Sequence, residues 1–177
     1  MERFEVVKGY EDKGINIPKR STAYSAGYDL EAAEDIIIPP INDPYREIFY
    51  DRTPDRAYDL NELSELTKRA KARPVLIPTG LKCKLDPNHY LKLVSRSSLP
   101  LKNWLICANS EGIIDSDYYG NSDNDGAIYF QVINLSPVPI LIKKGDRICQ
   151  AIVQEYLTLD GDNADGERTG GFGSTNE

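Results

Sequence analysis

The sequence predicts an all-β fold, a sandwich or barrel-like arrangement, and three observations predict it. Short apolar-rich runs recur along the chain, and some alternate, as in His89 to Ser95 with Tyr90, Leu91, Lys92, Leu93 and Val94. Turn-forming residues separate these runs: Pro39-Pro40, Asp86-Pro87-Asn88, Gly120-Asn121, Ser136-Pro137 and Lys144-Gly145-Asp146. One stretch alone carries helical spacing, with leucines at 60, 63 and 66.

Taken in order, the expected strands are Phe4 to Val7, Tyr28 to Ile38, Val75 to Leu85, His89 to Ser95, Trp104 to Ala108, Ala127 to Leu135, Val138 to Ile142 and Arg147 to Tyr156. Within Val75 to Leu85 the apolar positions include Leu76, Leu81, Cys83 and Leu85. The expected helix covers 59–72. Asp59 followed by Glu62 forms a capping-box-like start, and acids lead while bases close it, in accord with the helix dipole. Residues 41–73 therefore read as an excursion from a single β domain spanning 1–159. Beyond it, 160–177 is a flexible acidic and glycine-rich tail ending RTGGFGSTNE.

The chain has 177 residues, 40% hydrophobic and 28% charged, with a formal net charge of −7. That balance argues against a broad nucleic-acid or anionic-membrane footprint. No apolar run approaches membrane-spanning length, and the start MERFEVVKGYEDKG lacks the apolar core of a signal peptide. A cytoplasmic protein with reduced, buried thiols at Cys83, Cys107 and Cys149 is the expectation. With one histidine, His89 in a turn, neither a zinc cluster nor a Ser-His-Asp triad is expected, and no phosphate-loop or dinucleotide fingerprint occurs.

The chemistry-bearing residues gather at strand ends. Ala26-Gly27-Tyr28-Asp29-Leu30 sets an acid after a glycine, and Ser95-Arg96-Ser97-Ser98 sets a cation among hydroxyls. Gly112-Ile113-Ile114-Asp115-Ser116-Asp117-Tyr118 carries two acids and a tyrosine, and Gly145-Asp146-Arg147-Ile148-Cys149-Gln150 a charge pair. Each alone reads as a turn or a solvated charge. Their combination and order do not.

In that order the sequence resembles the trimeric dUTP pyrophosphatase (dUTPase) family, whose five motifs are matched by AGYDL at 26–30, SRSS at 95–98, GIIDSDYYGN at 112–121, GDRICQ at 145–150 and RTGGFGST at 168–175. The resemblance implies a jelly-roll-like β-clip domain assembling as a homotrimer with active sites shared between subunits. It implies hydrolysis of dUTP to dUMP and pyrophosphate, which limits uracil in DNA and supplies dUMP for thymidylate synthesis. Mg²⁺ is implied as cofactor, held by phosphate oxygens and water rather than by a protein cage.

The matched positions carry implied roles. Asp115 is the base that activates the attacking water. The hairpin with Asn109, Gly112 and Ile114 reads the uracil edge, where cytosine would leave buried groups unpaired at roughly 1–3 kcal/mol each. Tyr118 lies under the deoxyribose. Arg96, Ser97, Ser98 and Gln150 contact the triphosphate, Asp146 and Arg147 shape the pocket, and Asp29 orients a metal-bound or catalytic water. In the tail Phe172 stacks on uracil, Arg168, Ser174 and Thr175 hold the γ-phosphate, and Gly173 lets the backbone approach. Asp117 reads as structural.

Three departures stand out: Ser98 where many members have glycine, four steps rather than five from Arg168 to Phe172, and the inserted segment 41–73. Tyr45, Phe49, Tyr50 and Tyr58 make that segment a candidate protein-partner or trimer-contact element, the plainer reading being a tolerated surface elaboration. Two alternatives are a regulatory protein-binding member of the same fold and a dCTP deaminase.

Overall fold

The computed structural model describes residues 1–41, 74–166, 168, 170 and 171. Inserted segment 42–73, with its expected helix 59–72, lies outside the described residues.

The strands are β1 (Arg3–Val6), β2 (Tyr28–Glu31), β3 (Ile36–Ile38), β4 (Val75–Pro78), β5 (Leu81–Lys84), β6 (His89–Ser95), β7 (Leu105–Cys107), β8 (Gly112–Asp115), β9 (Tyr129–Asn134), β10 (Ile140–Ile142) and β11 (Arg147–Glu155). They pair antiparallel in four sheets, β1-β5, β3-β10, β2-β11-β6-β8 and β4-β9-β7. Leu30, Leu91, Leu93 and Ala151 of the four-stranded sheet meet Ile77, Leu105, Phe130 and Val132 of the three-stranded sheet in one core. All eight are essentially inaccessible to solvent. Alternation explains them: in β9, Phe130, Val132 and Asn134 are buried while Tyr129, Gln131 and Ile133 are not.

Two expected strands break into pairs because the chain crosses between sheets. Val75 to Leu85 divides at Thr79-Gly80. There Gly80 has φ +68°, and the buried Thr79 hydroxyl donates to Ile128 O at 2.7 Å and accepts from Leu81 N at 3.2 Å. Tyr28 to Ile38 divides at Ala32-Ala33, whose main-chain N–H groups turn to Asp146 O and Pro78 O at 2.9 and 2.8 Å. The main-chain N–H groups of Ala32, Ala33 and Thr79, lost from one ladder, thus find partners elsewhere in the fold.

Two short elements were not among the expectations. Helix α1 (Ser98–Asn103) follows β6 directly. Its Pro100 sits in the first turn, where a missing N–H breaks no intrahelical bond, and so tolerates the helix. The helix closes on Trp104, which is left-handed at φ 55° and caps the last carbonyls with its own N–H. A 3₁₀ turn (Ser116–Tyr118) follows β8. It takes Asp117 off the strand, so the same-face relation with Asp115 that a continuing strand would give does not apply.

At the far end of β6, His89 Nδ1 lies 2.5 Å from Glu2 Oε1. This contact raises the imidazole above its ordinary value of 6.5, the hydrogen bond to Glu2 outweighing a small opposing effect of burial. A raised folded value means that the stabilisation is complete below about pH 6.5 and fades as pH climbs through the folded value. The melting temperature is expected to fall slightly from pH 6 to pH 8.5 through this pair, and Glu2→Gln to flatten that slope in thermal melts.

Candidate functional site

Strand β6 organises the site because it pairs on both edges. Its register with β8 sets Leu93 opposite Gly112 and Tyr90 opposite Asp115, while β11 sets Ser95 opposite Cys149 and Val94 opposite Gln150. The turn from β7 into β8 carries Asn109, and the 3₁₀ turn after β8 carries Asp117 and Tyr118.

A cleft of about 450 Å³ opens along β8, lined among others by Cys107, Asn109, Gly112, Asp115, Tyr118 and Arg168. Ile114, also expected in the site, lines it too. Asn109 stands at the turn and Asp115 at the other end of β8. Tyr118 is buried at 6% exposure, and its hydroxyl accepts a hydrogen bond from Asn124 Nδ2 at 2.7 Å.

The tail reaches this cleft at Arg168. Its Nη2 donates to Asp115 Oδ2, its Nε donates to Asp117 Oδ1 at 2.7 Å, and its guanidinium lies 5.7 Å from the Tyr118 ring centre. Burial works against the arginine's charge, but the two carboxylates outweigh it and hold its pKa above the ordinary value. Gly171 rests on the same ring so closely that a Cβ there would lie 2.8 Å from Tyr118 Cε2. Phe172, Gly173, Ser174 and Thr175 lie outside the described residues.

The phosphate-side residues gather elsewhere. Arg96, Ser98, Asp146 and Arg147 line a second cleft of about 440 Å³. Asp29, 11% exposed, sits between two arginines, 3.1 Å from Arg96 Nε and 3.2 Å from Arg147 Nη1. Oδ1 of Asp29 is buried and, although within ion-pair distance of Arg96, makes no hydrogen bond of good geometry. Gln150 lies opposite Asp29 in the β2–β11 register, Ser97 stands at the N-cap position of α1 without a side-chain capping bond, and Asp146 Oδ2 accepts from Lys143 N at 2.9 Å.

The two clefts stand apart within one chain. Asp115 is level with Tyr90, and Ser95 lies five positions further along β6, a separation of about 17 Å at roughly 3.4 Å per residue.

Sequence reasoning missed several residues around the first cleft. Asp117 shares Arg168 with Asp115. Asn124 holds Tyr118 by its hydroxyl. Cys107 lines the cleft beside Asn109, donating to its side chain at 3.0 Å. The loop beyond Tyr118 is fixed by Tyr119 Oη donating to Glu5 Oε2 at 2.6 Å and by Lys82 Nζ meeting Asp125 Oδ2 at 2.7 Å. The last pair sits far apart in sequence, and no local signal marks it. Cys107 ends its strand and Asn109 lies in the turn beyond, so strand alternation does not mark their contact either.

Comparison with known proteins settles the kinship. The dUTPase family model matches residues 44–176. The chain belongs to the dUTPase family. The deoxyuridine 5'-triphosphate nucleotidohydrolase of Lactococcus lactis is 41% identical over 174 residues, covering 97% of this chain and 95% of that protein. The enzyme of the same name from Finegoldia magna is 32% identical, covering 90% of both. Among solved structures, the dUTPase of Streptococcus mutans superposes with a TM-score of 0.69 at 33% identity, covering 90% of this chain and 99% of that one. The dUTPase from phage phi11 of S. aureus, described with a species-specific insert, shares the fold at a TM-score of 0.62 and 14% identity, covering 94% of this chain and 97% of that one. The β-rich architecture is that of the dUTPase fold, and among the described residues no helix is long and apolar enough to cross a membrane.

Within this dUTPase fold the support under Tyr118 is testable. Gly126 has φ +80°, and a Cβ there would lie 2.6 Å from the Tyr118 carbonyl oxygen and 3.0 Å from Gly120 N. Gly126→Ala is expected to destabilise the chain by about 1–3 kcal/mol, read as a lowered midpoint in urea unfolding. Gly120→Ala, which meets no neighbour within 4 Å but shares a positive φ of +74°, is expected to cost less.

Proposed function

We propose that this chain hydrolyses dUTP to dUMP and pyrophosphate, limiting uracil in DNA and supplying dUMP for thymidylate synthesis. The observation that carries the reading is the β8 cleft, lined by the Asn109 amide, the Asp115 carboxylate and the buried Tyr118. Uracil presents carbonyl, N–H and carbonyl on its pairing edge. The turn and strand main chain around Asn109, Gly112 and Ile114 offer donors and acceptors to match, and the Asn109 amide adds more. Tyr118 forms the floor beneath the deoxyribose.

Asp115 holds the water. As the water oxygen forms its bond to the α-phosphorus, its proton passes to the carboxylate, the bond from that phosphorus to the bridging oxygen breaks, and pyrophosphate leaves. Arg96, Ser97, Ser98 and Gln150 bind and orient the phosphate chain, with Asp146 and Arg147 shaping their surroundings.

The separation along β6 supports assembly from more than one copy. A triphosphate cannot bridge about 17 Å between Asp115 and the end of β6, so the Arg96 side of one subunit serves the Asp115 side of another. A homotrimer is the closed arrangement proposed. Arg168 is placed to act with it. In this state it neutralises Asp115 and Asp117, and a bound triphosphate offers it a stronger anionic partner, which releases Asp115 to act as base. Phe172, Gly173, Ser174 and Thr175 then close over the nucleotide, Phe172 on the base and the hydroxyls on the terminal phosphate.

The residues fit Mg²⁺ that arrives on the triphosphate. They form no cage, and Asp29 keeps one buried oxygen, Oδ1, without a well-aligned donor and thus available to a metal-bound water. Bound there, Mg²⁺ would neutralise charge on the phosphates. Segment 41–73 is proposed as a partner or subunit contact, and the cytoplasm as the place of action.

The test is pyrophosphate release with Mg²⁺ from dUTP, dCTP, dTTP and UTP. Release from dUTP is expected to dominate, and Asp115→Asn to lower kcat by about 10²–10⁴-fold with the fold intact. No release from any of the four by folded wild type would sink the reading, and ammonia released from dCTP would replace it with deamination.

A further inference from the structure

An asparagine amide is a poor discriminator by itself. Its oxygen and nitrogen have nearly the same shape, so the side chain can turn over and offer a donor or an acceptor at the same place. A site that must prefer uracil to cytosine by this amide needs that choice made in advance, because beside the N–H that uracil alone carries the two bases present a carbonyl against an amino group.

In this chain a neighbour makes the choice. Cys107 Sγ lies 3.0 Å from Asn109 Oδ1, with the thiol as donor. The thiol proton goes to the amide oxygen. Among the described residues Nδ2 of Asn109 takes no protein partner, and the residue is solvent-exposed on the cleft. Cys107 itself is held rigidly. It is 7% exposed, and its N–H donates to Ser95 Oγ at 3.0 Å, tying β7 to the end of β6. Its carbonyl accepts from Ser110 N at 3.3 Å across the turn that carries Asn109. Burial raises the thiol's pKa against the opposing pull of the Asn109 N–H, so the proton stays on sulfur at neutral pH.

We propose that Cys107 is a specificity-determining positioning residue, whose thiol fixes the Asn109 amide with Nδ2 toward the base so that the site accepts a carbonyl and refuses an amino group. The inference rests on the dUTP reading above. It assigns the thiol neither contact with substrate nor part in the chemical step. Removing the thiol therefore raises KM for dUTP and leaves kcat, set by Asp115, in place.

The experiment compares kcat/KM for dUTP and dCTP in wild type, Cys107→Ala, Cys107→Ser, Asn109→Ala and the Cys107→Ala/Asn109→Ala double variant. Cys107→Ala is expected to lower the dUTP-to-dCTP ratio about 10-fold through KM, with kcat for dUTP within about 2-fold of wild type. Cys107→Ser, which keeps a donor, is expected to retain a ratio closer to wild type than to the alanine variant. The double variant is expected to match Asn109→Ala alone, because the thiol acts through that amide. If Cys107→Ala does not fold, Cys107→Val, which fills the space and lacks the proton, takes its place. An unchanged ratio in the folded thiol-less variant overturns the proposal, as does a serine variant no better than alanine, or effects that simply add in the double variant. Wild type that turns over no dUTP overturns the functional reading along with it, a result distinct from active wild type with unaltered selectivity.

Discussion

The pairing of β6 on both of its edges is the constraint from which the rest follows. Strand β8 hangs on one edge and β11 on the other. The first pairing positions Asn109, Asp115 and Tyr118. The second brings Gln150 and, one strand further, Asp29 to the end where Arg96 leaves the sheet. Because β6 is extended and its inward residues Leu91 and Leu93 are locked in the core, neither end can move toward the other. Side chains built on such a strand are held at a fixed spacing, and the two clefts stay apart within one chain, the constraint behind the assembly proposed above.

Charge organises both halves in the same manner. In one, Arg96 and Arg147 share Asp29, and in the other Asp115 and Asp117 share Arg168. The first arrangement leaves two guanidinium groups around one carboxylate, an excess of positive charge where phosphates are proposed to lie. The second leaves two carboxylates around one guanidinium, an excess of negative charge where a base is needed. Ion pairs with a half-exposed partner, such as those of Arg147 with Asp29 and of Arg168 with Asp115 and Asp117, contribute little to stability. Their place in the fold is better explained by ligand exchange, since a guanidinium that has already shed much of its water can pass from carboxylate to phosphate without a large solvation penalty.

The fold class was legible in the sequence because it rests on local signals, alternation and turn chemistry, that do not need distant partners. Elements whose geometry depends on tertiary hydrogen bonds were less so. The corners at Thr79-Gly80 and Ala32-Ala33 are set by Ile128, Asp146 and Pro78, residues from other parts of the chain. Helix α1 is six residues long with a proline inside, too short for a periodic signal. Most candidate site residues were named through ordered motifs, whereas Asn124 and Cys107 touch the cleft through other side chains and carry no motif of their own.

Cys107 shows why that second group matters. Read alone, it is a small buried residue at a strand end, indistinguishable from Cys83 or Cys149, whose thiols burial also raises. What separates it is the direction of one proton. On the proposal above, a side chain without that proton leaves Asn109 free to turn, and the amide then discriminates less between cytosine and uracil. Specificity proposed in this way lies less in the identity of the residue facing the base than in the hydrogen bond behind it, which removes one of its two orientations before any nucleotide arrives.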